Sequence, residues 1–100
     1  MSSVLLLSGD LVWGLRMATT RIATEQVTVV LLDQAAAAAR PGSPNAPAVT
    51  SAVAAGVTVL AHDDALRRRG ISQVAEGIGV SDLDRIADLL VDGANQVAWL

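Results

Sequence analysis

The sequence predicts a single α/β domain over residues 1–100, with three layers and about five strands in a mostly parallel sheet covered by helices on both faces. Three observations lead there. Short, almost uninterrupted apolar runs recur at residues 4–8, 27–32 and 57–61, and strands apolar on both sides belong to sheets covered on both faces. Between them the apolar spacing changes from the period of a strand to that of a helix. The alternation then continues to the end of the chain, as right-handed crossovers between parallel strands require.

Residues 4–8 (VLLLS) form the first strand, and Gly9 permits the sharp exit from it. Asp10 is a suitable N-cap for the helix that follows. In that helix Leu11, Leu15, Ala18 and Ile22 make one buried stripe. Trp13 and Met17, spaced i, i+4, form a second apolar pair. They cover either a neighbouring element or a subunit interface, where Trp and Met are enriched.

Residues 27–32 (VTVVLL) are rich in β-branched side chains and read as the second strand. The alanine-rich segment 34–40 that follows Asp33 is strongly helix-forming, and is either a helix packed closely through small side chains or a surface segment ordered only by a partner. All three prolines fall in 41–47, a loop. A short helix over 49–55 ends at Gly56, and 57–61 is the third strand. A short basic helix over 65–69 stops at Gly70. An irregular fourth strand lies around 78–80. Ser81 is expected to cap the next helix, whose stripe is Leu83, Ile86, Ala87 and Leu90 and which ends near Asp92 and Gly93. Residues 96–100 close the chain as a last strand.

Composition narrows the chemistry. The chain has no cysteine and no lysine, which excludes a thiol nucleophile, thiolate metal sites, a Schiff base and a phosphate-loop lysine. A net charge of −3 argues against nucleic acid as a partner. No apolar run approaches the ~18 residues that span a bilayer. Residues 4–7 have no preceding basic region and no small-residue cleavage site after them, so no signal peptide is expected and the chain reads as cytoplasmic. No cofactor or metal is expected.

The candidate chemistry gathers at strand ends, where open α/β sheets bind ligands. His62, the single histidine, follows the third strand beside Asp63 and Asp64. It suits a general base or proton relay near neutral pH, and equally a polar residue hydrogen-bonded at a strand–helix junction. Of the two carboxylates, one is needed as an N-cap and the two point apart. Gly9 and Asp10 complete the candidate pocket. Arg67, Arg68 and Arg69 form the one basic run, either a solvated helix end or a grip for an anion.

With these residues in hand, the chain resembles the DsrE/DsrF/DsrH-like proteins, which include sulfur-relay subunits of the Tus type. The resemblance rests on SGD-x-x-x-GL-x-MA from Ser8 to Ala18, on GVTVLAHDDALRRRGI over 56–71, and on a terminal apolar strand carrying Trp99. It implies a compact three-layer domain that assembles into dimers, trimers or hexamers, often with paralogous subunits. In active members it also implies a persulfide-carrying cysteine just after the third strand, and His62 holds that position here. The expected function is therefore an accessory, non-catalytic subunit of an oligomeric sulfur-transfer system. It would assemble with itself or with a cysteine-bearing paralogue, and Trp13, Met17 and Trp99 are the interface candidates. The alternatives are a small-ligand module gripping an anion through His62 and an arginine of 67–69, and an enzyme using His62 as base.

Overall fold

A computed structural model describes residues 2–93 and 96–99. Its five strands are β1 (Ser2–Leu7), β2 (Gln26–Leu31), β3 (Thr58–His62), β4 (Ile78–Ser81) and β5 (Gln96–Trp99). They form one sheet in the order β4-β3-β2-β1-β5 with every pairing parallel. The helices are α1 (Leu11–Arg21), α2 (Ala46–Ala54), α3 (Asp63–Arg68) and α4 (Leu83–Asp88).

The strand order fixes which face each connection covers. From β1 to β2, β3 and β4 the chain steps three times in one direction. Right-handed crossovers therefore place α1, α2 and α3 on one face. The connection from β4 to β5 runs back over three strands, so α4 crosses the other face. Packing agrees. Leu5, Leu7, Val29, Leu31 and Val59 join Leu15, Ala52 and Leu66 in the main core. Val4, Leu6 and Val30 meet Ile86 of α4 in a smaller one, with Leu32 and Leu90 against it. The layers are three but unequal.

With no Phe or Tyr to fill space, the main core closes by near approach of small residues. Gly14 of α1 faces β1 so tightly that a Cβ there would lie 2.5 Å from Leu7 Cδ2. The alanine-rich segment does the same work in a different geometry from the expected α-helix. Asp33–Ala39 is a 3-10 helix entered through Asp33 at φ 48°. Ala35, Ala36, Ala38 and Ala39 are buried while Ala37 is exposed. That spacing of three is the 3-10 repeat, which stacks i over i+3.

Two expectations near the C-terminus need correction. Ser81 is the last residue of β4 rather than a cap; Asp82 is the N-cap of α4, and its Oδ1 accepts from the Arg85 backbone N–H at 2.8 Å. Leu83 and Ala87 are exposed, because α4 is only 6 residues long and touches the sheet mainly through Ile86. The helix then passes into a π-turn, Leu89–Gly93. Leu100, expected in the last strand, lies outside the described residues. Smaller shifts are the start of α2 at Ala46, with Pro47 in its first turn where a missing N–H costs nothing, and the inclusion of His62 in β3.

Candidate functional site

The 56–71 stretch on which the resemblance rests ends in Arg69-Gly70-Ile71, at the close of α3, and local geometry explains that sequence. Gly70 sits at φ 68°, its N–H donates to Arg67 O at 3.1 Å, and the Ile71 N–H donates to Leu66 O at 3.0 Å. This is a Schellman closure, with Leu66 and Ile71 both packed into the main core. It anchors the short helix whose first residues carry the candidate site.

His62 ends β3. Val59 and Ala61 point into the main core, so by alternation His62 points to the opposite face, the one α4 crosses. Its side chain is 17% exposed, and its Nε2 lies 3.7 Å from Asp63 Oδ1, longer than a hydrogen bond. The paired carboxylates point apart. Asp63 Oδ1 accepts from the backbone N–H of Asp64 at 2.6 Å. The Asp64 carboxylate instead takes Arg67 and Arg68, with Arg68 Nε at 2.8 Å. Those hydrogen bonds, Arg67 first and then Arg68, hold the Asp64 carboxyl below the usual aspartate range. Two of the three arginines of the basic run are thereby engaged on the surface of α3. The third, Arg69, reaches back to Ala65 O at 3.4 Å.

The strand ends do not converge on one pocket. Gly9 borders a cleft of about 340 Å³ with Leu11, Gln34, Ser43 and Asn45, between the connections that leave β1 and β2. Asp10 is spent as the α1 cap, accepting from the Trp13 backbone N–H at 3.3 Å. Asp63 borders a separate groove of about 450 Å³, mostly apolar, with Leu66, Ile71, Val74 and Val80 beside the β4 edge. Among the described residues no group of three or more His, Asp and Glu is placed to hold a metal ion.

One residue that sequence reasoning read as a helix cap belongs to this site. Ser81 pairs with His62 across β3 and β4, is 2% exposed, and has a buried Oγ without a hydrogen-bond partner. The connections after β3 and β4 leave toward opposite faces, which makes this the switch point where open α/β sheets bind ligands. The signal in the sequence was Asp82: a better cap immediately after a serine frees that serine to be the end of the strand.

The three interface candidates differ in exposure. Trp13 is 50% and Trp99 68% exposed, and Met17 packs on the margin of the main core. Trp99 Nε1 donates to Ser8 Oγ at 3.1 Å, which ties the edge strand to the end of β1.

No protein-family model matches this chain, and no curated protein does. Solved structures do. The YchN protein of E. coli superposes with a TM-score of 0.82 at 20% identity, over 100% of both chains. A protein of unknown function from Methanobacterium thermoautotrophicum, MTH1491, superposes with 0.76 at 19% identity, over 97% of this chain and 96% of its own. At these identities the likeness is one of fold, and the α/β architecture is shared with both structures.

Proposed function

We propose that this chain is a non-catalytic DsrE-like subunit, which assembles with copies of itself or with a cysteine-bearing paralogue in an intracellular sulfur-transfer system. The observation that carries this reading is His62 at the end of β3, the position where the resemblance puts a persulfide cysteine. An imidazole holds protons and hydrogen bonds but cannot take a sulfur atom as a persulfide, which needs a thiolate. What remains useful on such a domain is surface, and Trp13 and Trp99 supply exposed aromatic area of the kind that anchors interfaces. The test is native mass spectrometry on the protein drawn gently from its own host. A defined oligomer or a complex with a cysteine-bearing sister chain is expected, with Trp13→Asp lowering the assembled mass. A monomer at working concentration overturns the reading.

A second reading, a small-ligand module at the strand ends, is favoured by the unpartnered Ser81 hydroxyl beside His62. A ligand that satisfied both would raise the melting temperature by mass action. Titration with small carboxylic acids and nucleotide analogues that leaves the melting temperature unmoved removes this reading.

A further inference from the structure

We propose that the free edge of β5 pairs antiparallel with β5 of a second copy of this chain, in the register that sets Ala98 opposite Ala98 and Val97 opposite Trp99. This deepens the assembling role proposed above and rests on it, by naming the surface and the partner.

The inner side of β5 is bonded to β1, from Ser3 opposite Gln96 to Leu6 opposite Trp99. Among the described residues no strand lies against its outer side, which presents a row of backbone donors and acceptors. Soluble proteins protect such edges with charge, proline or a bulge, because an open edge is a template for another strand. Gln96, Val97, Ala98 and Trp99 include neither charge nor proline.

Both faces beside this edge are apolar. Val97 and Trp99 register with Val4 and Leu6 on the face that α4 crosses, and they are 49% and 68% exposed. Ala98 registers with Leu5 on the main-core face. There α1 runs alongside. Arg21 Nη1 donates to Gln96 Oε1 at 3.3 Å, so the last turn of α1 and the start of β5 lie within side-chain reach of each other. Four residues back along the helix is ~6 Å, and two residues forward along the strand is ~6.6 Å. Met17 is therefore level with Ala98, and both lie against the same core. Arg21, whose guanidinium reaches the start of β5, has Glu25 at 3.9 Å.

The chemistry of a strand edge does not by itself choose between copies, but symmetry does. Pairing β5 with the opposite edge, β4, is heterologous and builds an open array unless the rotation happens to close. β4 also carries Gly79 at its middle and is followed by Asp82. Antiparallel pairing of β5 with itself about a two-fold axis normal to the sheet is closed and keeps each face on its own side. Side chains directly opposite each other then share a face, so Val97 can oppose only residues of its own parity. Centred on Ala98, the pairing places Val97 against Trp99 twice. These are aromatic to β-branched pairs, the kind that stabilise sheets. Centred on Val97 instead, it sets Gln96 against Ala98 and forms no Val97–Trp99 pair. The first arrangement covers both exposed apolar side chains of the strand.

The absence of native cysteine makes the test clean, because each introduced thiol is the only one in the chain. Opposed residues in antiparallel strands have Cα atoms ~4.5–5.5 Å apart, within the ~4.4–6.8 Å a disulfide spans. Under mild oxidation the full chain carrying Ala98→Cys is expected to run mainly at twice the chain mass on a non-reducing gel, and Val97→Cys at the chain mass. Crosslinking of Val97→Cys in place of Ala98→Cys overturns the register. An assembled native mass with no Ala98→Cys crosslink overturns the β5 edge while leaving the assembling role standing; a monomeric native mass of the unaltered chain removes both. Val97→Lys gives an independent readout at an exposed position. It is expected to leave the chain folded and monomeric, and an unchanged assembled mass refutes the proposal.

Discussion

Replacing Gly14 with alanine tests how the fold compensates for having no large side chains. The Cβ would meet Leu7 Cδ2 at 2.5 Å, Cδ1 at 2.9 Å and Cγ at 3.3 Å, against a comfortable carbon–carbon separation of ~3.5–4.0 Å. Leu7 is fully buried in the main core and cannot swing into solvent. Either it leaves its rotamer or α1 lifts from β1. Overpacking of this kind costs ~1–3 kcal/mol, and contact this short belongs at the upper end. Against it stands the helix propensity of alanine over glycine, worth ~1 kcal/mol in a helix interior. The steric effect wins by about 2 kcal/mol, a fall in melting temperature of roughly 10 °C for a domain of this size.

Urea unfolding followed by far-ultraviolet circular dichroism measures the change as a lower midpoint at unchanged slope. A Gly14→Ala chain as stable as the parent, or more stable, refutes the argument, since propensity alone would then govern the position. The double variant with Leu7→Ala gives a stricter check. The new methyl occupies space that the truncated leucine vacates, so the pair should lose less stability than the sum of the two single changes, by ~1 kcal/mol or more. Strict additivity would mean that the two residues do not share the contact.

Two further outcomes follow from the strand ends. Asp82→Ala should cost ~1 kcal/mol through loss of the α4 cap, whereas Ser81→Ala should be neutral or stabilising because it removes a buried hydroxyl that has no partner; thermal melts in which the serine change costs more would restore Ser81 as the cap. Asp64→Asn should destabilise at neutral pH and converge with the parent in acid. The folded Asp64 carboxyl lies below its ordinary value, so its contribution is complete above about pH 3.9, the unfolded value, and is lost as pH falls through the folded one. A deficit that stays constant from neutral pH down to the acid transition would show that Arg67 and Arg68 do not act through the charge.

The strands were legible because a chain without aromatic core residues writes them plainly, as runs such as VTVVLL between turn signals. His62 at the end of β3 was legible for the same reason. The pitch of the alanine segment was not. Alanine propensity reports willingness to be helical, while the 3-10 winding follows from four buried alanines pressed against the sheet and an entry at positive φ. The stripe of α4 misled because a periodic pattern continues past the point where the helix leaves its partner: Ile86 is buried and Leu83 is not. Nor does sequence spacing disclose that Gly9 and Asp63 border different clefts, since that depends on which connections share a face.

Strand order is the part that carries consequences. Three steps in one direction load one face with α1, the 3-10 segment, α2 and α3. The single return leaves the other face to a helix of 6 residues and a π-turn. Val97 and Trp99 are exposed on that face for this reason, and His62 and Ser81 meet there because β3 and β4 send their connections to opposite sides. A second return helix would have covered the same surface from within the chain. Among the described residues no such helix is present, and the thin face with the β5 edge beside it is the surface that the proposed β5–β5 pairing would cover. The exposed tryptophan therefore belongs with the topology rather than with the residue-by-residue pattern: a polar side chain at position 99 would fit the sheet equally well and would give up the contact.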